Sequence, residues 1–402
     1  MPDVLDLMDT LSKLNTTELT IHPERCVVVR NCNASCRRCS VACTSGAIAL
    51  KGNELVVNPD VCVGCGTCAT VCPTMALEAR NPTDSELLQL SVRILREHSA
   101  LPVYACKPLL EEHKNEYDKA RVIGVGCLGR LEESELVTLI VSGISPLLLA
   151  QGDCASCDRA AGHEVNEAVY ATMTTLLSAW GQNNPIVLVS GLPEEVALMK
   201  SESARTEDVD GMSRRDFFTQ IRTGITTAAG QAAVQTLHLE QAAPDSPKRS
   251  VVKVMADGTL PHFVPSRRER MLDHLDLMGE PQAERLNTRL WGYLSINDEL
   301  CNSCKMCAIF CPTGAITKYD EPGDAPETGV EHYPADCVQC RLCEDICPKE
   351  AINISSDVPL SDLVRGEIIR FPMKAVKQKP NDPKQIYNAM YELLGGGQIY
   401  ER

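Results

Sequence analysis

Cysteine is the residue through which this chain could do chemistry: there are 21, in dense runs separated by long cysteine-free stretches. Between Cys301 and Pro348 stand CNSCKMCAIFCP and CVQCRLCEDICP, 24 residues apart, each with cysteines at i, i+3, i+6 and i+10 and a proline next. Three thiolates so close together let one tight loop wrap the corners of an iron-sulfur cubane. The fourth lies beyond the point where the chain turns away and reaches the neighbouring cube instead. The spacing predicts two [4Fe-4S] sites with crossed ligands: Cys301, Cys304 and Cys307 with Cys347, and Cys337, Cys340 and Cys343 with Cys311. Coincidence or structural zinc is disfavoured by the doubled match.

A second pair of runs, NCNASCRRCSVACTSGAI and VCVGCGTCATVCPTMAL, stands near the other end of the chain. The same crossing predicts Cys32, Cys36 and Cys39 with Cys72, and Cys62, Cys65 and Cys68 with Cys43. After each run comes a similar tail (Gly46-Ala47-Ile48, Met75-Ala76-Leu77, Gly314-Ala315-Ile316, Glu350-Ala351-Ile352), which predicts a short strand leaving the cluster loop. Both pairs resemble the two-cluster domains of bacterial ferredoxins, and the resemblance implies four [4Fe-4S] clusters in all. The first run departs from the pattern, with three residues between Cys32 and Cys36 and Thr44 where proline is usual. Its C-x3-C-x2-C spacing also resembles the signature of radical S-adenosylmethionine enzymes, which implies a long (β/α) barrel for which the next run leaves no room. The extra residue is read instead as reshaping the loop and shifting one cluster's potential. Cys26 is left over and reads as a buried apolar thiol.

From about Asp84 the pattern becomes alternating helices and strands. Residues 86–98, Glu132–Ile144 and Glu164–Trp180 read as helices, and PVYAC, RVIGVGC, PLLLAQ and PIVLVSG as strands. Continuous apolar strands between helices predict a parallel sheet covered on both faces, whose ligands lie beyond the carboxyl ends of the strands. Cys106, Cys127, Cys154 and Cys157 all fall there. The segment carrying GCLGR and QGDCASC resembles the small iron-sulfur delta subunit of methyl-viologen-reducing hydrogenase, which passes electrons from a hydrogenase to heterodisulfide reductase and is associated with a [2Fe-2S] centre. That family tends to have Gly-Cys-His before its Gly-Asp-Cys, whereas this chain has Ala150-Gln151, so the resemblance implies a fifth cluster but leaves [2Fe-2S] and [4Fe-4S] both open. A redox-active dithiol of Cys154 and Cys157 and structural zinc are the competing readings.

Together these give an α+β and α/β multidomain chain: a dicluster ferredoxin domain with a leading helix (1–83), a central α/β domain (84–200), a linker (201–250) and a second dicluster ferredoxin domain with a helical tail (251–402). Apolar content of 44% fills such cores, and a net charge of -15 argues against nucleic acid as a partner. Residues 2–14 read as an amphipathic helix with neither a secretory signal nor a membrane span, and dense unpaired cysteines fit a reducing compartment, so a cytoplasmic location is expected. Ser213-Arg214-Arg215-Asp216-Phe217-Phe218 resembles a twin-arginine export motif, but its internal position makes it a fusion joint or a basic helix start. Ser266–Leu277 reads as a charged helix, Trp291–Ile296 as a strand, residues 321–327 as a surface excursion and Pro383–Leu394 as a helix.

No dinucleotide fingerprint, phosphate loop, zinc-protease motif or nucleophile elbow is present, and His113 and His163 read as surface residues. The first expectation is therefore a non-catalytic electron-transfer subunit, partnered by a hydrogenase, a heterodisulfide-reductase-like flavoprotein, or a molybdenum or tungsten enzyme. A disulfide or thiol oxidoreductase using Cys154 and Cys157 is the second, and a redox sensor the third.

Overall fold

The computed structural model describes residues 18–114, 116–197, 252–255, 257–321, 327–374 and 400–401, which belong to one compact unit. The leading helix, the linker with its Ser213-Arg214-Arg215 motif, residues 322–326 of the surface excursion and the helix expected from Pro383 lie outside the described residues.

Around the first pair of runs, β1 (Leu19–Ile21) pairs antiparallel with β4 (Leu77–Ala79), and β2 (Ile48–Lys51) with β3 (Glu54–Val57). Short helices α1 (Val27–Arg30), α2 (Arg38–Val41) and α3 (Thr67–Val71) lie within and beside the cysteine runs. Helix α4 (Asp84–His98) then opens with a capping box: Thr83 Oγ1 accepts from the Glu86 N–H at 3.3 Å, and the Glu86 carboxylate accepts from the Thr83 N–H at 2.8 Å. The central segment follows as β5 (Val103–Cys106), α5 (Lys107–Glu112), β6 (Val122–Val125), α6 (Glu133–Val141), β7 (Leu147–Gln151), α7 (Ala161–Ala179) and β8 (Ile186–Ser190). Its four strands are parallel in the order β6-β5-β7-β8. Strand β5 is buried at every position, which is why its sequence reads as an unbroken apolar run. Helix α5 escapes the periodicity argument because six residues are too few to display an amphipathic repeat.

Beyond the linker, β9 (Val252–Lys253) pairs with Tyr400–Glu401, and α8 (Ser266–Leu277) has its expected bounds. The C-terminal module pairs β10 (Arg285–Asn287) with Asp357–Pro359, and β11 (Tyr293–Ile296) with Ile352–Ser355. It adds a three-stranded sheet of Ile316–Glu321, Glu327–His332 and Ile369–Pro372. Its cysteine runs carry the helices α9 (Met306–Phe310) and α10 (Leu342–Asp345).

The modules are held by buried charge and by shared apolar surface. Helix α6 is buried even along its acidic first turn, Glu133 to Glu135, so those carboxylates need partners. Helix α8 packs on it and, with the chain just beyond, supplies arginines. Arg267 Nε lies 3.2 Å and Arg270 Nη2 3.0 Å from Asp84 Oδ2, Arg130 pairs with Oδ1, and Arg289 grips both oxygens of Glu133 at 2.7 Å. Arg268 lies 4.5 Å above the Trp291 ring. The two ferredoxin-like regions share a core in which Leu19, Val29 and Leu77 pack with Leu260, Phe310 and Leu342.

Glu135 is the carboxylate of this network left without a hydrogen bond. It is fully buried, neither carboxylate oxygen has a hydrogen-bond partner, and the nearest guanidinium nitrogen, of Arg270, stands 3.6 Å away. Burial, and then the neighbouring Asp84 charge, push its carboxyl up to about 8. A folded-state value above the unfolded one means that the stability linked to this proton is fully present below about pH 4.3 and is lost as pH rises toward 8. Glu135→Gln should remove that segment of the pH dependence, so the melting temperature of the variant should fall less between pH 5 and pH 8 than that of the wild type. Parallel slopes would contradict a proton held on Glu135.

Candidate metal centres

Three of the four cysteine loops share one backbone device. Ser303 and Lys305, Gln339 and Arg341, and Gly64 and Gly66 occupy the second and fourth positions after Cys301, Cys337 and Cys62, and all six have left-handed φ angles. Alternating handedness turns successive N–H groups into one concavity, the nest that receives phosphates and iron-sulfur clusters. The tails repeat too: Gly46, Met75, Gly314 and Glu350 are left-handed three residues after the last cysteine of each run. In two of them the very next N–H points back at the cysteine sulfur, Ala76 N to Cys72 Sγ at 3.2 Å and Ala351 N to Cys347 Sγ at 3.3 Å.

These loops bring Cys43, Cys62, Cys65 and Cys68 to the wall of one cavity, beside Leu19 and Val57. A second cavity is lined by Cys36, Cys39 and Cys72, and its fourth cysteine is Cys26. Cys32 is exposed and does not line it. In the C-terminal module Cys304 lies near Cys347 and Cys301, Cys340 near Cys311 and Cys337, and Cys343 near Cys307 as well, so the thiols of both runs gather in one region. Burial, and then the charge of Cys304, push the Cys307 thiol up to about 12. Bare thiolates are therefore costly here, and bound iron would supply the compensating positive charge. Among the described residues no three His, Cys, Asp or Glu side chains converge on a single ion. The thiols are instead spread around cavities, a donor set that fits sulfur-ligated clusters.

The central cysteines reach one place by a different route. Cys106 ends β5, Cys127 follows β6, and Cys154 and Cys157 bracket a 3-10 turn after β7, so three adjacent parallel strands deliver them to one edge. All four line one cavity, with Arg159 and His163 beside them. His163 thus borders this cavity, while its Nε2 stands 3.4 Å from Glu167. The Asp153 carboxylate accepts from Ala155 N and Ser156 Oγ, which sets the turn, and Arg159 Nη1 donates to Gly126 O at 2.6 Å. This site abuts the N-terminal module without a spacer. A Cβ on Gly126 would fall 2.0 Å from Gly64 O, and one on Gly162 would fall 2.3 Å from Cys127 Sγ, so both positions need glycine for close approach.

Residues 300–351 match the 4Fe-4S dicluster domain family, and residues 55–78 match a 4Fe-4S binding domain family. The chain carries two 4Fe-4S ferredoxin-type domains. Neither family match extends into the central segment. Similar stretches occur in the trichloroethene reductive dehalogenase of Dehalococcoides mccartyi (32% identity, 19% of this chain and 14% of that protein) and in formate hydrogenlyase subunit 2 of Escherichia coli (38%, 15% and 28%). Pyruvate synthase subunit PorD of Thermotoga maritima is 37% identical over 16% of this chain and 59% of its own. The chain thus spans less than two thirds of each of these relatives. No solved structure matches it. Among the described residues no helix is long and apolar enough to cross a membrane.

The two ferredoxin-type domains meet through their ligand loops. Arg38, between Cys36 and Cys39, donates from Nη2 to Gln339 O at 2.8 Å, between Cys337 and Cys340. The fully buried Arg30 donates to the carbonyls of Phe310, Cys311 and Pro261 at 3.3, 3.3 and 2.9 Å, and Ser35 N donates to Asp345 Oδ2 at 2.7 Å. Spacing within one run carries no trace of these partners, because each lies about 230 to 310 positions away.

Proposed function

We propose that the chain is an iron-sulfur electron-transfer subunit of a larger cytoplasmic oxidoreductase, holding four [4Fe-4S] clusters on its ferredoxin-type domains and a fifth iron-sulfur cluster on Cys106, Cys127, Cys154 and Cys157. The observation that carries this reading is contiguity: the loops that carry the expected cysteine sets meet one another within one packed unit. The set of Cys301, Cys304, Cys307 and Cys347 adjoins that of Cys337, Cys340, Cys343 and Cys311. Arg38 joins this second set to the one containing Cys36, Cys39 and Cys72, which shares its domain with Cys43, Cys62, Cys65 and Cys68. The Gly64–Gly126 contact joins that set to the central four. Such clusters, when bound, take and give single electrons. The protein's own part is to ligate them, to space them through Arg38 and Gly126, and to surround them with buried apolar side chains.

In this proposed order the central cysteines form one end of the line of cysteine sets, although the domain that carries them packs on both ferredoxin-type regions. That placement supports the α/β domain as the face toward one partner and the loop of Cys301 and the exposed Cys304 as the opposite terminus. The printed names of two relatives, a formate hydrogenlyase subunit and a pyruvate synthase subunit, support a catalytic partner, of which a hydrogenase, a flavoprotein of the heterodisulfide-reductase type or a molybdenum or tungsten enzyme are the candidates. A two-cysteine disulfide reductase is less well supported, since Cys106 and Cys127 share the cavity of Cys154 and Cys157.

Iron and acid-labile sulfide per chain, measured on anaerobically purified full-length protein, test the proposal. We expect about 18 to 20 irons, four cubanes plus a centre of two or four. A count that stops at about 16 removes the fifth site, and a chain without iron overturns the whole reading.

A further inference from the structure

We propose that Cys26, and not Cys32, is the ligand that completes the site of Cys36, Cys39 and Cys72. The assignment rests on the iron-sulfur reading above and changes which thiol serves it. Three features place Cys26 where Cys301 stands in the other domain. It lines one cavity with Cys36, Cys39 and Cys72. It follows strand β1 by the interval at which Cys301 follows β11: Ile21 pairs with Leu77 as Ile296 pairs with Ile352, and five positions separate each isoleucine from its cysteine. The next N–H repeats as well, His22 N donating to Ala76 O and Asn297 N to Ala351 O, both at 2.8 Å.

The approach to Cys26 is also that of the first cysteine in two of the other runs. Its N–H donates to Pro23 O at 3.0 Å, closing a turn over Pro23-Glu24-Arg25. Cys62 and Cys337 close the same turn on Pro59 and Pro334, at 3.3 and 3.2 Å. The Pro-x-x-Cys pattern was thus the sequence signal for Cys26, hidden because the nearer Cys32 satisfied an almost regular run.

Seen this way, residues 27–35 are an insert of nine where Cys301 and Cys304 have two residues between them. The insert has its own work. Val27, Val28 and Val29 enter the core shared with the second domain, Arg30 binds the Phe310 and Cys311 carbonyls, and Ser35 binds Asp345. Cys32 sits at the exposed tip of a turn in which Ala34 N donates to Asn31 O at 3.1 Å and Asn33 N to Asn31 Oδ1 at 2.9 Å. No left-handed residue occurs between Cys26 and Cys39, so the insert replaces the nest of the other three loops.

The test compares full-length wild type, Cys32→Ala and Cys26→Ala, purified anaerobically, by iron and sulfide content and by the electron paramagnetic resonance spectrum of the reduced protein. Cys32→Ala should keep the wild-type iron count and spectrum, and Cys26→Ala should lose about one to four irons with the signal of one cluster. Should Cys26→Ala fail to accumulate, alkylation of the wild type decides: iodoacetamide should modify Cys32 in the native protein with no iron released. Iron loss on Cys32→Ala or on alkylation of Cys32, or full retention by Cys26→Ala, overturns the assignment and leaves the electron-transfer reading intact. A wild-type chain that holds no iron would instead defeat that reading itself.

Discussion

Replacing Asp84 by alanine should destabilise the chain by about 3–5 kcal/mol, because it strips the shared partner from three guanidinium groups in a largely buried site. Arg130, Arg267 and Arg270 all reach this one carboxylate, and Arg130 and Arg267 are nearly inaccessible to water. Glu132, 3.7 Å from Arg267, would be left to balance them. Burial alone would push the Asp84 carboxyl up, but the charges of Arg267, Arg130 and Arg270 outweigh it and hold the group well below the usual carboxylate range. The sign of the linkage follows. A depressed folded-state value means that the stabilisation is present above the unfolded value of about 3.9 and is lost as pH falls below it. Denaturant unfolding at pH 7 should show the full loss in Asp84→Ala, and the variant should lack part of the wild type's acid-side decline below about pH 4. Asp84→Ala combined with Arg267→Met should recover part of the loss, since the second change removes a charge that the first left unpaired. A loss under about 1 kcal/mol would mean that α8 is held to the central domain by its apolar face alone.

The same network marks the boundary of what the sequence makes legible. Cysteine spacing within ten residues fixes which thiols a single loop can present, so the cysteines that the structure gathers around common cavities are largely those of the runs and of the ends of the apolar strands. The unbroken burial of β5 explains why its parallel neighbours read correctly, since a strand covered on both faces has no alternation to misread. Pairings between distant segments leave no local mark. Asp84 and Arg267 are 183 positions apart, and nothing around Ser266–Leu277 distinguishes a helix that clamps buried carboxylates from an ordinary charged surface helix. Cys26 is buried, as its sequence context predicts, and the ligand role proposed for it is masked in the sequence by a nearer cysteine at almost the right spacing. Strands such as Arg285–Asn287 are too short for an apolar period and are defined by their partners in Asp357–Pro359. The packing of the central segment against both ferredoxin-type regions, through Gly64 and Gly126 on one side and Glu133 and Arg289 on the other, depends on which loops and helices touch in three dimensions.

Gly126→Ala should be the substitution that separates ligation from spacing. The added carbon would lie 2.0 Å from the Gly64 carbonyl oxygen and 3.0 Å from Cys65 Cα, and both are backbone atoms of a ligand loop with no flexible side chain to yield. Overpacking of this kind costs about 1–3 kcal/mol and displaces one surface from the other. No thiol is removed, so iron and sulfide should stay at the wild-type level. What should change is the magnetic interaction between the centre that includes Cys127 and the centre that includes Cys65, seen as narrower or uncoupled signals in the reduced protein, together with a lower unfolding midpoint. Gly152→Ala is the matched control. It lies beside the same central site, but its added carbon would meet Leu109 at an ordinary 3.6 Å. If Gly126→Ala and Gly152→Ala gave the same spectrum and the same stability, the Gly64–Gly126 contact would not be the junction between the central cysteines and the rest of the line. A spectral change confined to Gly126→Ala, at constant iron, is the outcome that the contact geometry requires.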